Sequence, residues 1–329
     1  VKGGGLTSEL RLKLWGLSGA EALDANWLKS QILLNLDSED EGEIFIGCAG
    51  GKDTLGKLSF EKEDTPNGQA FKLYVKGLKG GHSGDDINKG LGNAIKILNR
   101  VIWHLDNVMD IRIHSFEGGN LRNAIAREAE AVIIVTKSEA EDAVGIVNKF
   151  AKELAYEYRT TEPNFQMGIN HVENPEFVID TLSQDNLLNL LYALPHGVLA
   201  MSREIDNFVE TSTNLASVKM KEDYFEINTS QRSSKEAACA KNEACFNLAM
   251  AESTHGDGYP GWAPNPDSKI LSIAVKSYEK LFGKTPIVRA IHAGLECGLI
   301  GEKYPKMDMI SYGPTLRGVH SPDERLEIK

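Results

Sequence analysis

The order of hydrophobic and polar residues predicts an α/β chain with an inserted α+β domain. Apolar runs at residues 32–36 and 43–48 are typical of buried strands. Between residues 71 and 76, apolar and polar side chains alternate with a period of two, which predicts a half-exposed strand. Further strands are predicted at 110–116, 130–137, 286–292 and 307–312, and as a pair across 214–231.

Helical spacing of apolar residues predicts four helices. The first is marked by a stripe of six residues: Ala94, Ile97, Leu98, Val101, Ile102 and Leu105. The second runs to about Tyr158 from a capping box of Ser138 and Glu141, and the third lies near 184–194. In the fourth, we expect Asp267 to cap the start and Gly283 to end the helix. Its inward face is predicted to hold Leu271, Val275, Tyr278 and Phe282.

The order of these predicted strands and helices divides the 329 residues into two domains. Strand–helix alternation at both ends favours one α/β layer with a mainly parallel sheet, built from residues 1–54 and 256–329. The stretch 55–255 between them predicts an inserted α+β domain. A run of turn residues at 256–262 marks the return to the first domain.

Charge and composition exclude several classes of partner. Acidic residues outnumber basic ones by 47 to 36, and the net charge of −11 makes nucleic acid and anionic membranes poor partners. No apolar run reaches the roughly 18 residues that span a bilayer. Four cysteines without a C-x-x-C pair are typical of a reducing compartment. The start of the chain does not resemble a signal peptide, so we expect a cytoplasmic protein.

Two candidate metal ligands follow predicted strands. Asp37 comes directly after the strand at 32–36, at the sheet end where open α/β folds bind ligands. It is either a metal-binding carboxylate or a turn or cap aspartate. His320 lies in a loop framed by glycine and proline, where it is either a zinc ligand or a structural histidine.

Other candidates have the chemistry of substrate binding. His82 lies among glycines and can donate a hydrogen bond to an oxyanion. Arg232 ends a strand and can bind a carboxylate through two hydrogen bonds, although exposed arginines at strand ends are common. His292 and Glu296, four apart among glycines, indicate a metal or substrate site, or only a tight turn between strand and helix.

Taken together, nine ordered stretches resemble the aminoacyl-histidine dipeptidases, bacterial relatives of carnosinase among the two-zinc peptidases and deacylases. They are residues 26–28, 32–39, 47–51, 77–84, 118–125, 209–212, 259–262, 292–298 and 320–324. Among them are Gly80-Gly81-His82-Ser83-Gly84 and His320-Ser321-Pro322-Asp323-Glu324. The resemblance extends from about residue 16 to about residue 325.

The resemblance implies a two-zinc peptidase catalytic domain, formed by 1–54 and 256–329, with 55–255 as a lid. Asp37 would bind one zinc ion and His320 the other, with cobalt or manganese as alternative metals. In the lid, His82 would stabilise the oxyanion.

The resemblance also implies three substrate-binding residues. Asn123 and Arg232 would hold the substrate, Arg232 at its C-terminal carboxylate. Glu296 would face the substrate's amino end.

Part of the family's metal site has no counterpart in this sequence. The His-x-Asp motif, the bridging aspartate and the Glu-Glu pair that includes the general base are missing. The pair should precede residues 16–20, where Lys13-Leu14-Trp15 stands instead. Because Asp37, His82, Arg232 and His320 remain, we interpret the sequence as lacking segments of a complete enzyme. A decayed, non-catalytic relative is the alternative.

The predicted activity is hydrolysis of Xaa-His dipeptides such as carnosine by a zinc-activated water. One alternative is another peptidase or deacylase of the same superfamily. The other is a relative without catalytic activity that binds small peptides. A small dipeptide is the expected ligand, and a homodimer is compatible with the resemblance.

Overall fold

The structure is a computed structural model that describes residues 18–203, 207–233, 238–317 and 325–328. Its helices are α1 (Ser18–Glu21), α2 (Ala94–Val108), α3 (Ala140–Glu157), α4 (Thr181–Ala193), α5 (Ala238–Leu248), α6 (Lys269–Phe282) and α7 (Glu296–Lys303). The strands of the first third are β1 (Ile32–Asn35), β2 (Glu43–Cys48), β3 (Gly50–Ser59), β4 (Lys62–Asp64), β5 (Gln69–Lys76) and β6 (Ile111–Gly119). Those of the middle are β7 (Ala129–Val135), β8 (Gln166–Val172), β9 (Phe177–Ile179), β10 (Gly197–Met201), β11 (Val209–Met220) and β12 (Tyr224–Ser233). The last are β13 (Glu252–His255), β14 (Ile287–Ile291), β15 (Asp308–Ser311), β16 (Leu316–Arg317) and β17 (Arg325–Leu326).

A four-stranded sheet joins strands from both ends of the chain, in the order β1-β15-β2-β14. The pairs β1–β15 and β2–β14 are parallel, whereas β15 meets β2 antiparallel at a single residue pair. Because side chains alternate along a strand, β2 fills two cores. Ile44 and Ile46 pack with Leu271 of α6, and Phe45 packs on the other face with Leu299 of α7.

Strand β1 is less buried than its apolar sequence predicts. Leu33 is buried, but Ile32 is 49% exposed and Leu34 is 47% exposed. β1 lies at the edge of the four-stranded sheet, and the described residues cover only the face that holds Leu33. The prediction of a fully buried strand is therefore wrong for β1 and right for β2, where five of six residues are buried.

A larger antiparallel sheet is built from the middle of the chain. Its strands follow the order β13-β3-β12-β11-β6-β7-β5-β8, with β10 paired to β11. Helices α2 and α4 pack on this sheet in the largest core of the described residues. All six apolar residues of the predicted stripe on α2 are buried, and Asn93 caps this helix by accepting hydrogen bonds from Ile95 and Lys96.

Helix ends differ from the predictions in two places. Helix α3 begins without a side-chain cap, so the capping box of Ser138 and Glu141 is wrong. Helix α6 is capped by Ser268, whose hydroxyl accepts from the Leu271 backbone 3.0 Å away, and not by Asp267. Its C-terminal Gly283 has the expected left-handed conformation, with φ of 65°. The prediction that Phe282 faces inward is wrong, because this side chain is 54% exposed.

The two sheets meet where the chain passes between β2 and β3. Cys48 pairs with Trp262 and Gly51 pairs with Tyr259, so the returning segment lies against the outgoing one. The domain boundaries near residues 54 and 256 remain a prediction. Among the described helices, none is both long and apolar enough to cross a membrane.

Candidate functional site

An open cleft of about 1280 Å³ lies between the two sheets. This volume is larger than the ~300–1,000 Å³ of typical small-molecule pockets. Four of the six predicted site residues line it, namely Asp37, His82, Asn123 and Arg232. His320 lies outside the described residues.

Two adjacent loops of the larger domain carry His82 and Asn123. A β-bridge pairs His82 with Ala124, and the Ser83 backbone donates to the Asn123 carbonyl at 2.8 Å. Buried Asn214 on β11 fixes the second loop by donating to the Ala124 carbonyl at 2.8 Å. The two loops that carry His82 and Asn123 are therefore joined by hydrogen bonds between their backbones.

His82 and Arg232 are neighbours in the lining of the cleft, and Nε2 of the His82 ring is directed at the Arg232 side chain. The backbone N–H groups of Gly84 and Asp85 approach Nδ1 at 3.4 and 3.3 Å, and Oδ2 of Asp85 lies 3.5 Å from the same nitrogen. If Nδ1 accepts from the backbone, the proton of the neutral ring lies on Nε2. If the ring is charged and paired with Asp85, Nε2 also carries a proton. Both arrangements make Nε2 a donor, whereas a neutral ring with its proton on Nδ1, directed at Asp85, would let Nε2 accept from Arg232.

Asp85 is suited to the second arrangement. Burial alone would raise the pKa of its carboxyl, but the His82 hydrogen bond and the Arg232 charge bring that pKa below its ordinary value. An ionised Asp85 can accept a hydrogen bond from Nδ1 of His82, which lies 3.5 Å from its Oδ2.

Arg232 on β12 is a buried cation without a carboxylate partner among the described residues. Its side chain donates from Nη1 to the Tyr259 hydroxyl at 3.0 Å and from Nε to Ser83 Oγ at 3.4 Å. Nη2 lies 3.4 Å from Nε2 of His82. The residue is only 7% exposed, so it is not one of the ordinary exposed arginines that are common at strand ends. A guanidinium has five N–H donors, and at least one on each terminal nitrogen is left for a ligand.

The other arginines of the cleft are either paired with a carboxylate or, like Arg127, exposed. Arg122 pairs with Asp53 at 2.9 Å, and Arg289 pairs with Glu43 at 2.6 Å. A buried cation without a carboxylate in direct contact is costly unless a ligand supplies one. Arg232 therefore marks the place in this cleft where an anionic group fits best.

A contact between backbones brings the His82 loop against the opposite wall of the cleft. A Cβ atom on Gly84 would lie 2.3 Å from the carbonyl oxygen of His292, so only glycine allows this approach. Nε2 of His292 lies 2.7 Å from Ser212 Oγ on β11. Burial, followed by the Arg232 charge, lowers the pKa of His292 to about 4, which makes this ring neutral at pH 7.

Asp37 follows β1 and faces the cleft with the neighbouring Glu39 and Asp40. Carboxylates are suitable ligands for zinc. Within the described ranges, however, no three His, Cys, Asp or Glu side chains converge in a way that could hold a metal ion. The described residues thus offer a carboxylate of suitable chemistry for a metal, and its role as a ligand remains a prediction.

Glu296 is the first residue of α7 and is not among the residues that line the cleft. Its side chain is 7% exposed, and its charge raises the pKa values of the buried Cys48 and Cys297 thiols beyond the effect of burial. The predicted role of Glu296 at the substrate's amino end is untested by this arrangement.

Charges are unevenly distributed over the walls of the cleft. The segment after β1 supplies Asp37, Glu39 and Asp40, while the larger domain supplies most of the cations: Lys79, Lys89, Arg122, Arg127 and Arg232. A small zwitterion can find opposite charges on opposite walls of such a cleft.

Several polar neighbours were not among the predicted residues. Tyr259, Ser83, Asp85 and Ser212 contact the predicted set, but their roles depend on contacts between distant segments. The sequence signal nearest to them is the run of glycines around Tyr259, His82 and His292. Such runs indicate close backbone approach without identifying the partner.

Comparison with known proteins shows similarity to dipeptidases. Residues 70–162 match the peptidase dimerisation domain. The chain is 42% identical over 319 residues to the cytosol non-specific dipeptidase of Escherichia coli strain K12, an alignment that covers 95% of this chain. It also resembles the crystal structure of aminoacylhistidine dipeptidase from Vibrio alginolyticus, with a TM-score of 0.87, 38% identity and 94% of this chain covered.

Both similarities extend over nearly the whole chain but not over the whole of either relative. The chain spans 66% of the length of the Escherichia coli protein and 64% of the Vibrio chain. The mixed α/β architecture, with a peptidase fold and an inserted dimerisation or lid domain, agrees with the predicted fold class.

Proposed function

We propose that this chain, a homologue of the aminoacylhistidine and cytosol non-specific dipeptidases over nearly its whole length, acts in the metal-dependent hydrolysis of Xaa-His dipeptides such as carnosine. The observation that carries the proposal is the buried guanidinium of Arg232, which faces the cleft with only neutral partners among the described residues. A dipeptide has one C-terminal carboxylate that can neutralise it. The expected contact is bidentate, with one oxygen on each terminal nitrogen.

His82 is the proposed oxyanion donor. Water adds to the peptide carbonyl carbon, and the carbonyl oxygen becomes an oxyanion that Nε2–H of His82 stabilises. The C–N bond then breaks and the amine leaves with a proton that came from the attacking water, which gives an amino acid and free histidine. Because Nε2 lies 3.4 Å from Arg232 Nη2, a bound dipeptide would place its carboxylate and its scissile carbonyl near two adjacent donors.

Asn123 is proposed to orient the substrate from the adjoining loop. Its backbone carbonyl accepts from Ser83, so the backbones that carry Asn123 and His82 are held next to one another. Glu296 remains the proposed partner for the substrate's amino end.

Zinc is the proposed cofactor, with two ions per subunit and with cobalt or manganese as alternatives. Bound zinc supplies a water of lowered pKa as the nucleophile. Asp37 and His320 are the proposed ligands in this chain. Asp37 faces the cleft on the wall that also carries Glu39 and Asp40.

Some of the same observations also support two other functions. Another peptidase or a deacylase of the same superfamily could use the same carboxylate-binding arginine, because acyl-amino acids also end in a carboxylate. A non-catalytic relative could bind small peptides in the same cleft. The first alternative differs in the substrate that is cleaved, and the second differs in the absence of cleavage.

The peptidase dimerisation domain at residues 70–162 supports a homodimer as the proposed assembly. A cytoplasmic location is proposed from the name of the Escherichia coli relative and from the composition of the chain.

Product analysis tests the proposed function. The complete, zinc-loaded protein is incubated with carnosine, with N-acetyl-histidine and with carnosine plus a chelator. We expect histidine and β-alanine from carnosine, little product from N-acetyl-histidine, and loss of activity with the chelator. Faster release from N-acetyl-histidine would favour the deacylase, and binding of carnosine without products would favour the non-catalytic relative.

A further inference from the structure

Tyr259 is held in the cleft between two glycines from different parts of the chain. Its backbone exchanges hydrogen bonds with Gly51 in both directions, at 2.9 and 3.1 Å. A Cβ atom on Gly51 would lie 2.6 Å from the Tyr259 ring, and one on Gly294 would also lie 2.6 Å from it. Both glycines therefore allow the ring to occupy one narrow slot, and the slot fixes the position of the hydroxyl.

The Tyr259 hydroxyl is a hydrogen-bond acceptor for Arg232. It accepts a hydrogen bond from Nη1 at 3.0 Å. Because arginine has donors and no acceptors, this bond uses a lone pair of the hydroxyl and leaves its proton available. In the described part of the chain, no acceptor for that proton lies within hydrogen-bonding distance of the hydroxyl.

The hydroxyl remains a proton donor at neutral pH. Burial raises the pKa of Tyr259, and the nearby Arg232 charge only partly opposes this. Tyr259 thus offers an O–H group next to the terminal nitrogen of Arg232 that is proposed to bind a carboxylate.

We propose that Tyr259 is a further substrate-binding residue, which donates its hydroxyl proton to the same C-terminal carboxylate that Arg232 binds. The inference rests on the proposed function, because it assigns a second donor to that binding site. An oxygen of the carboxylate then receives one bond from Nη1 of Arg232 and one from the Tyr259 hydroxyl. The narrow slot made by Gly51 and Gly294 explains why the donor can be a large, rigid side chain.

Tyr259→Phe tests the inference, since it removes only the hydroxyl and keeps the ring in its slot. Binding of carnosine and of its C-terminal amide is measured by calorimetry on the full chain, with a chelator present so that nothing is hydrolysed. We expect Tyr259→Phe to weaken carnosine binding about tenfold, the effect of one hydrogen bond to a charged group. Binding of the amide, which lacks the carboxylate, should change less than about twofold.

Tyr74→Phe on β5 is the matched control and should leave both affinities unchanged. Equal weakening of carnosine and of the amide would show that Tyr259 serves the cleft only by packing, and would overturn the inference. Unchanged carnosine binding would overturn it as well. If the unsubstituted protein binds carnosine and the amide equally, the proposed function fails first. If it prefers carnosine and Tyr259→Phe keeps that preference, only the assignment of Tyr259 fails.

Discussion

Nε2 of His82 lies 3.4 Å from Nη2 of Arg232, and both residues line the cleft. When the His82 proton lies on Nε2, both groups are hydrogen-bond donors and cannot satisfy one another. They can, however, share the oxygens of one ligand. The pair therefore fits a substrate that has an anionic carboxylate and develops negative charge on a nearby carbonyl oxygen.

We predict that His82→Ala in the complete protein lowers kcat by about 10²–10³, the effect of losing one oxyanion donor. KM should change much less, because the contact forms mainly in the transition state. Zinc content, measured by atomic absorption, should stay the same. The control is His171→Ala on the exposed edge strand β8. Loss of zinc from His82→Ala would instead make this residue a metal ligand, and unchanged kcat would remove it from the mechanism.

A second prediction concerns the contact between Gly84 and His292. Gly84→Ala would place a methyl group 2.3 Å from the His292 carbonyl oxygen, so the His82 loop must move away from the opposite wall. We expect kcat/KM for carnosine to fall about 100-fold, as is typical when a catalytic group is displaced by about 1 Å.

Gly145→Ala is the matched control for this prediction. Gly145 lies in helix α3, and a Cβ atom there would meet nothing within 4 Å. The substitution should leave activity unchanged and raise the free energy of unfolding by up to about 1 kcal/mol. Normal activity of Gly84→Ala would show that the contact between the two loops is dispensable.

Elements with one strong periodic signal could be predicted from the sequence. The stripe on α2, the alternation in β5 and the end of α6 at Gly283 are set by local spacing or backbone conformation. The predicted cap of α6 lies one residue too early, because Asp267 and Ser268 are both good cap residues and only the backbone conformation selects between them.

The candidate site could be predicted only in part. Residue types identified Asp37, His82 and Arg232 as chemically suitable, and the structure brings all three to one cleft. The burial of Arg232 and the slot around Tyr259 could not be predicted, since they arise from packing between segments that are distant in the sequence.

A third prediction concerns stability at acid pH. Burial, followed by the Lys96 charge, lowers the pKa of His196 from 6.5 to about 4. Its Nδ1 accepts from the Leu215 backbone at 3.3 Å and lies 3.2 Å from Asn93 Nδ2. Below about pH 6.5, His196 binds a proton in the unfolded chain, whereas in the folded protein it binds one only near pH 4. The stability that a neutral His196 provides is therefore complete at pH 7.5 and is lost as the pH falls.

Urea unfolding at pH 7.5 and pH 5.0 measures this effect. Between these values the protein should lose about 2 kcal/mol more than His196→Gln does, from the difference between the two pKa values. His171→Gln on the exposed strand β8 is the control and should keep the full pH dependence. The same loss in His196→Gln as in the unsubstituted protein would contradict a neutral, buried His196.

The most direct test of the account is whether Arg232 recognises the C-terminal carboxylate of a dipeptide. The measurement compares kcat/KM for carnosine and for carnosine amide in the complete, zinc-loaded protein and in Arg232→Lys. Lysine keeps the charge but cannot form the bidentate contact, so kcat/KM for carnosine should fall by about 30-fold. The amide should change less than about threefold, and Arg100→Lys, at an exposed pair with Glu157, should change neither substrate. Equal losses for carnosine and its amide, or no loss for either, would contradict the account.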